Sequence, residues 1–278
     1  MPGIYQVIPR KKRSIFSLFN FSVTIQLIIL NVLCFILFYI ASFFYDEKIL
    51  TTNLALVPSL ILSGQSLWTL ITSMFLHAGF FHLFANMFSL FFIGSFLENL
   101  IGKKRFIWVY IISGIVGGIF FVFASLIFGN LSAPAVGASG AIFGLLGILA
   151  VLVPYSKIYL ILGPFILIIL DAILGNIIPQ NFLSLFNLTI NILIILMIFS
   201  LLSFNSSFRK ISLPVELPMW LLPIIAIVPL AILGLYIDLP IGNSAHFGGL
   251  MVGVIYGFYL RRKFPNKTKR IQEYFSKK

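Results

Sequence analysis

The chain has 278 residues, 60% of them hydrophobic and 9% charged, with a formal net charge of +12 and a mean hydropathy of +1.10. Soluble domains carry about 25% charged residues, so the composition excludes an ordinary soluble domain and describes an integral membrane protein. The single cysteine, Cys34, excludes an internal disulfide and a cysteine metal cluster. The basic residues stand in short clusters between apolar segments, the distribution of membrane topology and not of nucleic-acid binding.

In chain order, the N-terminal "MPGIYQVIPRKKR" has no cleavage-site pattern, so no removable signal peptide is read. About 20 apolar residues cross about 30 Å of hydrocarbon. On that measure the candidate spans are 21–44, 78–98, 105–128, 138–153, 157–176, 182–204, 217–236 and 243–260. The clusters Arg10–Arg13, Lys103–Arg105, Arg209 with Lys210, and Arg261–Lys263 all fall on one side of an eight-span arrangement. The opposite loops 129–137, 177–181 and 237–242 hold no Lys or Arg, and only Lys48, beside Asp46 and Glu47, runs against the pattern. The expectation is an all-α polytopic bundle, one membrane domain over 1–278, with both termini cytoplasmic. The natural setting is the cell (plasma) membrane, with the basic tail 261–278 against anionic lipid.

Three of these spans bring uncommon polar groups to their outer ends. Span two opens with "LHAGFFHLFANMF", in which His82 and Asn86 are four apart and share one helical face. Span four opens with "GASG", Ser139 between Gly137 and Gly140, and span eight with "NSAHFGGLMVG", which puts His246 in its first turn. Polar groups at that depth are costly and face a bundle interior. Gly140, Gly144 and Gly147 in span four and Gly249, Gly253 and Gly257 in span eight form small-residue ladders that let two backbones approach closely. Packing these two spans together carries Ser139 towards His246.

Two readings follow. Ser139 alone is an unremarked helix cap with structural glycines around it. Paired with His246 it is a nucleophile with its general base, and the N–H groups at the start of span four, with His82 and Asn86, are candidate oxyanion donors. His77 reads as an interfacial residue outside the site. No metal set is apparent, since His77 and His82 are five apart and no HExxH pair occurs. Asp171, within span five, is either a structural carboxylate near Asn176 and Asn181 or a third member orienting His246; Asp238 has no helical reason to reach it.

These residues resemble the rhomboid family of intramembrane serine proteases. "GASG" at 137–140, "AHFGGLMVG" at 245–253, "HAGFFHLFANM" at 77–87 and "LWTLITSMFLH" at 67–77 are similar to four family motifs in the family's order. The resemblance implies Ser139 as nucleophile, His246 as general base and His82 and Asn86 in the oxyanion hole. It also implies a six-helix core, no cofactor, and transmembrane proteins as substrates cut near the outer face. Three departures stand out. Thr69 follows Trp68 where the family has Trp-Arg, Phe143 stands where a tyrosine stacks on the histidine, and Ser139 and His246 are 107 residues apart. The excess reads as an inserted transmembrane hairpin, 157–204, peripheral to the chemistry. The rivals are a non-catalytic relative that binds membrane clients and a transporter. The second would need two matching halves, and no internal repeat is visible.

Overall fold

The computed structural model describes residues 22–175, 177–200, 210–233 and 242–276. The basic cluster at Arg10–Arg13, Asn176, Arg209 and Asp238 lie outside them. In order, α1 is Val23–Ser42, α2 Glu47–Leu54, α3 Pro58–Leu62, α4 Thr69–Thr72, α5 Phe80–Ser89 and α6 Ser95–Ile101, the last two joined by a π-turn at Leu90–Gly94. Then come α7 Lys103–Phe128, α8 Ser139–Leu152, β1 Lys157–Ile161, α9 Leu162–Leu174 and α10 Gln180–Ser200. β2 Pro214–Pro218, α11 Leu222–Leu233, α12 Asn243–Lys263 and α13 Pro265–Ser276 complete the described chain.

Among the described residues, four helices are long and apolar enough to cross a membrane, Val23–Ser42, Phe80–Ile101, Lys103–Phe128 and Gln180–Ser200. The chain is therefore a multi-pass membrane protein. Local chemistry sets several ends. Ser22 accepts the Ile25 N–H at the start of α1, and Gly129 takes a left-handed conformation (φ +81°) to close α7. Arg261, Arg262 and Lys263 occupy the last turn of α12, where the helix dipole favours cations.

The core centres on α8, which packs on α7 and α12 and buries almost every residue after Ser139. At 14 residues it is about 21 Å long at the 1.5 Å rise of a helix. That is shorter than the roughly 30 Å hydrocarbon layer, so α8 alone does not cross it.

The fold is mostly helical, and one short ribbon interrupts it: Lys157–Ile161 is a strand paired antiparallel with Pro214–Pro218. A short apolar run such as "KIYLI" cannot be told from the start of a helix by periodicity, and its partner lies more than fifty residues on. The exposed Lys157–Glu216 ion pair, 2.8 Å, bridges the two strands, and the carboxylate raises the Lys157 pKa above its ordinary value. The expected span at 157–176 thus reduces to α9, 13 residues or about 20 Å. α13 folds back so that Phe275 meets Phe96 edge-on at 5.4 Å and Lys267 donates to the Leu100 carbonyl at 3.3 Å.

A charged contact anchors α1. Glu98 on α6 is 6% exposed, and its carboxylate accepts from Val23 N–H (2.9 Å), Thr24 N–H (2.8 Å) and the Thr24 hydroxyl (2.8 Å). It supplies the acceptors that the first turn of α1 lacks and the negative charge its dipole favours. Glu98→Ala should cost about 3 kcal/mol, since it strands buried donors bonded to a charged group. A lowered thermal midpoint in detergent checks this, with Glu98→Gln falling between the two.

Candidate active site

Ser139 is the first residue of α8, and the chain reaches it through Gly137, whose φ is +123°. Only glycine fits there, for two reasons. The left-handed backbone disfavours a side chain, and a Cβ would stand 2.9 Å from Cε1 and Nε2 of His82. The Gly137 N–H donates to the Ser73 carbonyl at 2.9 Å, which pins the turn before α8 to the segment preceding α5.

The two glycine ladders meet. A Cβ on Gly249 would collide with the Gly140 carbonyl, and one on Gly253 with the Gly144 carbonyl. α8 and α12 are therefore in backbone contact, as small-residue faces permit. That contact sets the first turn of α12 against the first residue of α8. The His246 N–H donates to the Gly242 carbonyl at 3.0 Å, and its Nε2 lies 2.8 Å from Ser139 Oγ.

Phe143, one turn below Ser139, stacks on the His246 ring with centroids 4.4 Å apart and planes 17° apart. His246 Nδ1 is buried with no hydrogen-bond partner among the described residues, and so is Asp171 Oδ1. Asp171 therefore does not bond the histidine, and Asn181, an expected solvating partner, is exposed.

On α5, His82 is half-buried, and its Nδ1 accepts the Ala78 N–H at 3.4 Å. With that nitrogen as acceptor, the neutral ring carries its proton on Nε2. The point 2.9 Å from His82 Nε2 that a Gly137 Cβ would occupy is 3.8 Å from Ser139 Oγ. The donor edge of His82 and the hydroxyl thus border one small space. Asn86 is buried one turn further along, and its Nδ2 donates to the His82 carbonyl at 2.9 Å, leaving a second N–H on the same nitrogen.

The structure brings Ser139, His246, Phe143, Gly137 and His82 together around this space, with Asn86 behind His82 on the same helix. Two neighbours escaped the sequence reading. His77 is buried, with its ring edge-on to His82 at 5.1 Å, so it packs directly against the site. Its signal was its place in the same short stretch as His82. Ser73 acts through its backbone carbonyl, which leaves no trace in residue type. The loop before α4 is anchored without an arginine: the Trp68 indole donates to the Asn53 carbonyl at 2.8 Å, and the Thr69 hydroxyl to the Ser66 carbonyl at 2.7 Å.

A family model described as Rhomboid domain matches residues 64–193 and 190–263. The chain is similar to putative rhomboid protease YdcA of Bacillus subtilis, 48% identical over 81 residues, 29% of this chain and 39% of that protein. It is similar to rhomboid protease GluP of the same organism, 36% identical over 154 residues, 55% of this chain and 29% of that protein. It is also similar to inactive RHOMBOID-like protein 8 of Arabidopsis thaliana, 39% identical over 84 residues, 30% of this chain and 22% of that protein. Each match spans less than half the length of the relative.

The backbone contact generates a stability prediction. Gly249→Val or Gly253→Val should destabilise the protein by about 1–3 kcal/mol, the usual cost of overpacking. Gly79→Ala, where a Cβ meets nothing within 4 Å, should leave the midpoint unchanged; thermal unfolding in detergent measures all three.

Proposed function

The chain belongs to the rhomboid family, and on that premise we propose that it is an intramembrane serine endopeptidase working by a Ser139–His246 pair. The observation that carries the reading is the 2.8 Å approach of Ser139 Oγ to His246 Nε2 across two helices locked in backbone contact. The substrates are transmembrane proteins, cut near the outer face of the cell membrane while both termini of the enzyme stay in the cytoplasm.

In the proposed reaction His246 Nε2 takes the hydroxyl proton as Ser139 Oγ attacks the scissile carbonyl. The carbonyl oxygen becomes an oxyanion, held by N–H groups at the start of α8, which have no acceptor within the helix. His82 Nε2 and the second N–H of Asn86 Nδ2 are the side-chain donors. His246 then gives its proton to the departing amine, leaving an acyl ester on Ser139. Water hydrolyses the ester after His246 removes a proton from it, and the serine regains its hydrogen. Every proton moves through one imidazole, so the cycle calls on no metal or cofactor. Stacking on Phe143 holds the ring in its plane in place of a carboxylate.

The second reading, a client-binding relative without catalysis, is favoured by the similarity to a protein named inactive. Against it, this chain retains both a serine and a histidine within bonding distance.

A fluorophosphonate probe applied to intact membranes separates the readings. The wild type should be labelled at Ser139, Ser139→Ala should not be labelled, and His246→Ala should lose about 10³-fold or more in rate. Asp171→Asn should label as the wild type does; a loss matching His246→Ala would make the carboxylate a third member. An unlabelled wild type would leave the client-binding reading.

His82→Ala and Asn86→Ala should each slow cleavage of a transmembrane substrate by up to about 10²–10³ in turnover. Their thermal midpoints report whether the loss is catalytic, and full turnover in both variants would remove α5 from the oxyanion hole.

A further inference from the structure

Three cations gather at the end of the bundle opposite Ser139. Ser139 opens α8, and α13 crosses the other end of that helix, where Gln272 Nε2 donates to the Val151 carbonyl at 3.4 Å. Arg105 stands in the first turn of α7, Lys263 ends α12, and Lys267 belongs to the first turn of α13. The Arg105 guanidinium lies over the Phe264 ring, 5.0 Å from its centroid, and the Lys263 ammonium lies over the same ring at 6.0 Å. Arg105 also donates to the Ile101 carbonyl at 3.2 Å, while Lys267 donates to the neighbouring Leu100 carbonyl at 3.3 Å. One aromatic ring and two consecutive carbonyls thus bring together exposed side chains from three helices.

Among the described residues none of the three pairs with a carboxylate. Glu98, one turn before Ile101 on α6, is committed to the first turn of α1. An ammonium offers three N–H donors and a guanidinium five, so each cation keeps donors beyond its present contacts, including Lys263, which spends one on the Tyr259 hydroxyl at 2.7 Å. Converging donors with uncompensated positive charge suit a phosphate. Depth selects where that phosphate comes from. α7, apolar and long enough to cross a membrane, begins at Lys103, and the apolar part of α12 ends at Leu260, with Tyr256 and Tyr259 stacked at 5.6 Å just inside. Tyrosines at the end of a span mark the headgroup level, so the three cations stand among lipid headgroups.

We propose that Arg105, Lys263 and Lys267 bind the phosphate of an anionic phospholipid in the leaflet opposite Ser139, and that the bound headgroup holds α13 against the base of the bundle. The inner face of α13 is short: Thr268 is buried, Ile271 and Phe275 pack on the core, and Gln272 bonds the end of α8. Docking it places Lys267 beside two other cations, whose mutual repulsion opposes the compact arrangement. A phosphate between them turns that repulsion into attraction, and a ligand that binds only the docked form stabilises it by mass action. Lys269 and Arg270, exposed on the same helix, supply only the general field that a basic segment offers an anionic surface. The site is independent of the chemistry at Ser139.

The full chain in a zwitterionic detergent, titrated with dioctanoyl-phosphatidylglycerol, should show a thermal midpoint that rises and saturates, and dioctanoyl-phosphatidylcholine should move it far less. Lys267→Gln and Arg105→Gln should each raise the half-maximal lipid concentration about fivefold, the weight of one cation beside an anionic surface. Lys269→Gln, whose charge faces Glu273 at 4.0 Å, should change it by less than about twofold, and Lys267→Arg should keep the wild-type value. Lys267 is exposed, so its variants carry the test should Arg105→Gln not fold. A midpoint indifferent to phosphatidylglycerol, an equal response to phosphatidylcholine, or equal losses at Lys267 and Lys269 would overturn the site. The same rise with inorganic phosphate alone would overturn the lipid as its occupant.

Discussion

The backbone contact between α8 and α12 is the constraint from which the rest of the site follows. In lipid, two helices gain no hydrophobic reward for associating, so close van der Waals packing has to supply the attraction. Glycine at 140 and 144 facing glycine at 249 and 253 brings the carbonyls of one helix against the Cα atoms of the other. A helix that started one residue earlier or later would point a different side chain at the first turn of its partner. The 2.8 Å Ser139–His246 distance is thus a by-product of packing along the whole length of two helices.

Ring orientation is solved by similar means. A histidine in a three-membered serine site is aimed by a carboxylate on its far nitrogen, and His246 Nδ1 has no such partner among the described residues. The near-parallel Phe143 ring at 4.4 Å fixes the plane, while the nitrogen facing the serine fixes rotation within it. The phenyl group that replaces the family's tyrosine keeps the flat surface and gives up only the hydroxyl. An aromatic face introduces no charge into a layer where a carboxylate would have to be solvated. Glu98 is the instructive contrast, a carboxylate accepted in the interior because three donors of α1 converge on it.

The sequence made legible those features that depend on residue type at fixed spacing. The polar residues of spans two, four and eight stood out against an apolar background, and the glycine ladders said which spans should touch. Partners distant in sequence and ordinary in composition stayed hidden. The β1–β2 ribbon joins two short apolar runs with no turn between them, Glu98 reaches a helix seventy-odd residues away, and Ser73 contributes a carbonyl that any residue would offer. The docking of the tail was hidden for a related reason. Its lysines read as a lipid-facing cluster, and the apolar stripe that docks it shows its purpose only once α6 and α8 stand opposite.

The long interval between the serine and the histidine has a consequence in time. Ser139 is made 107 residues before His246, and at a synthesis rate of about 5–20 residues per second this is about 5–20 seconds of translation. Throughout that interval the nascent chain holds Ser139 without His246, the base of the proposed pair. Reactivity on the proposed mechanism arrives only with the last apolar helix, after every other piece of the wall has been synthesised. On that mechanism the order of the elements along the chain acts as a zymogen would, keeping the newly made chain inert without a segment to remove.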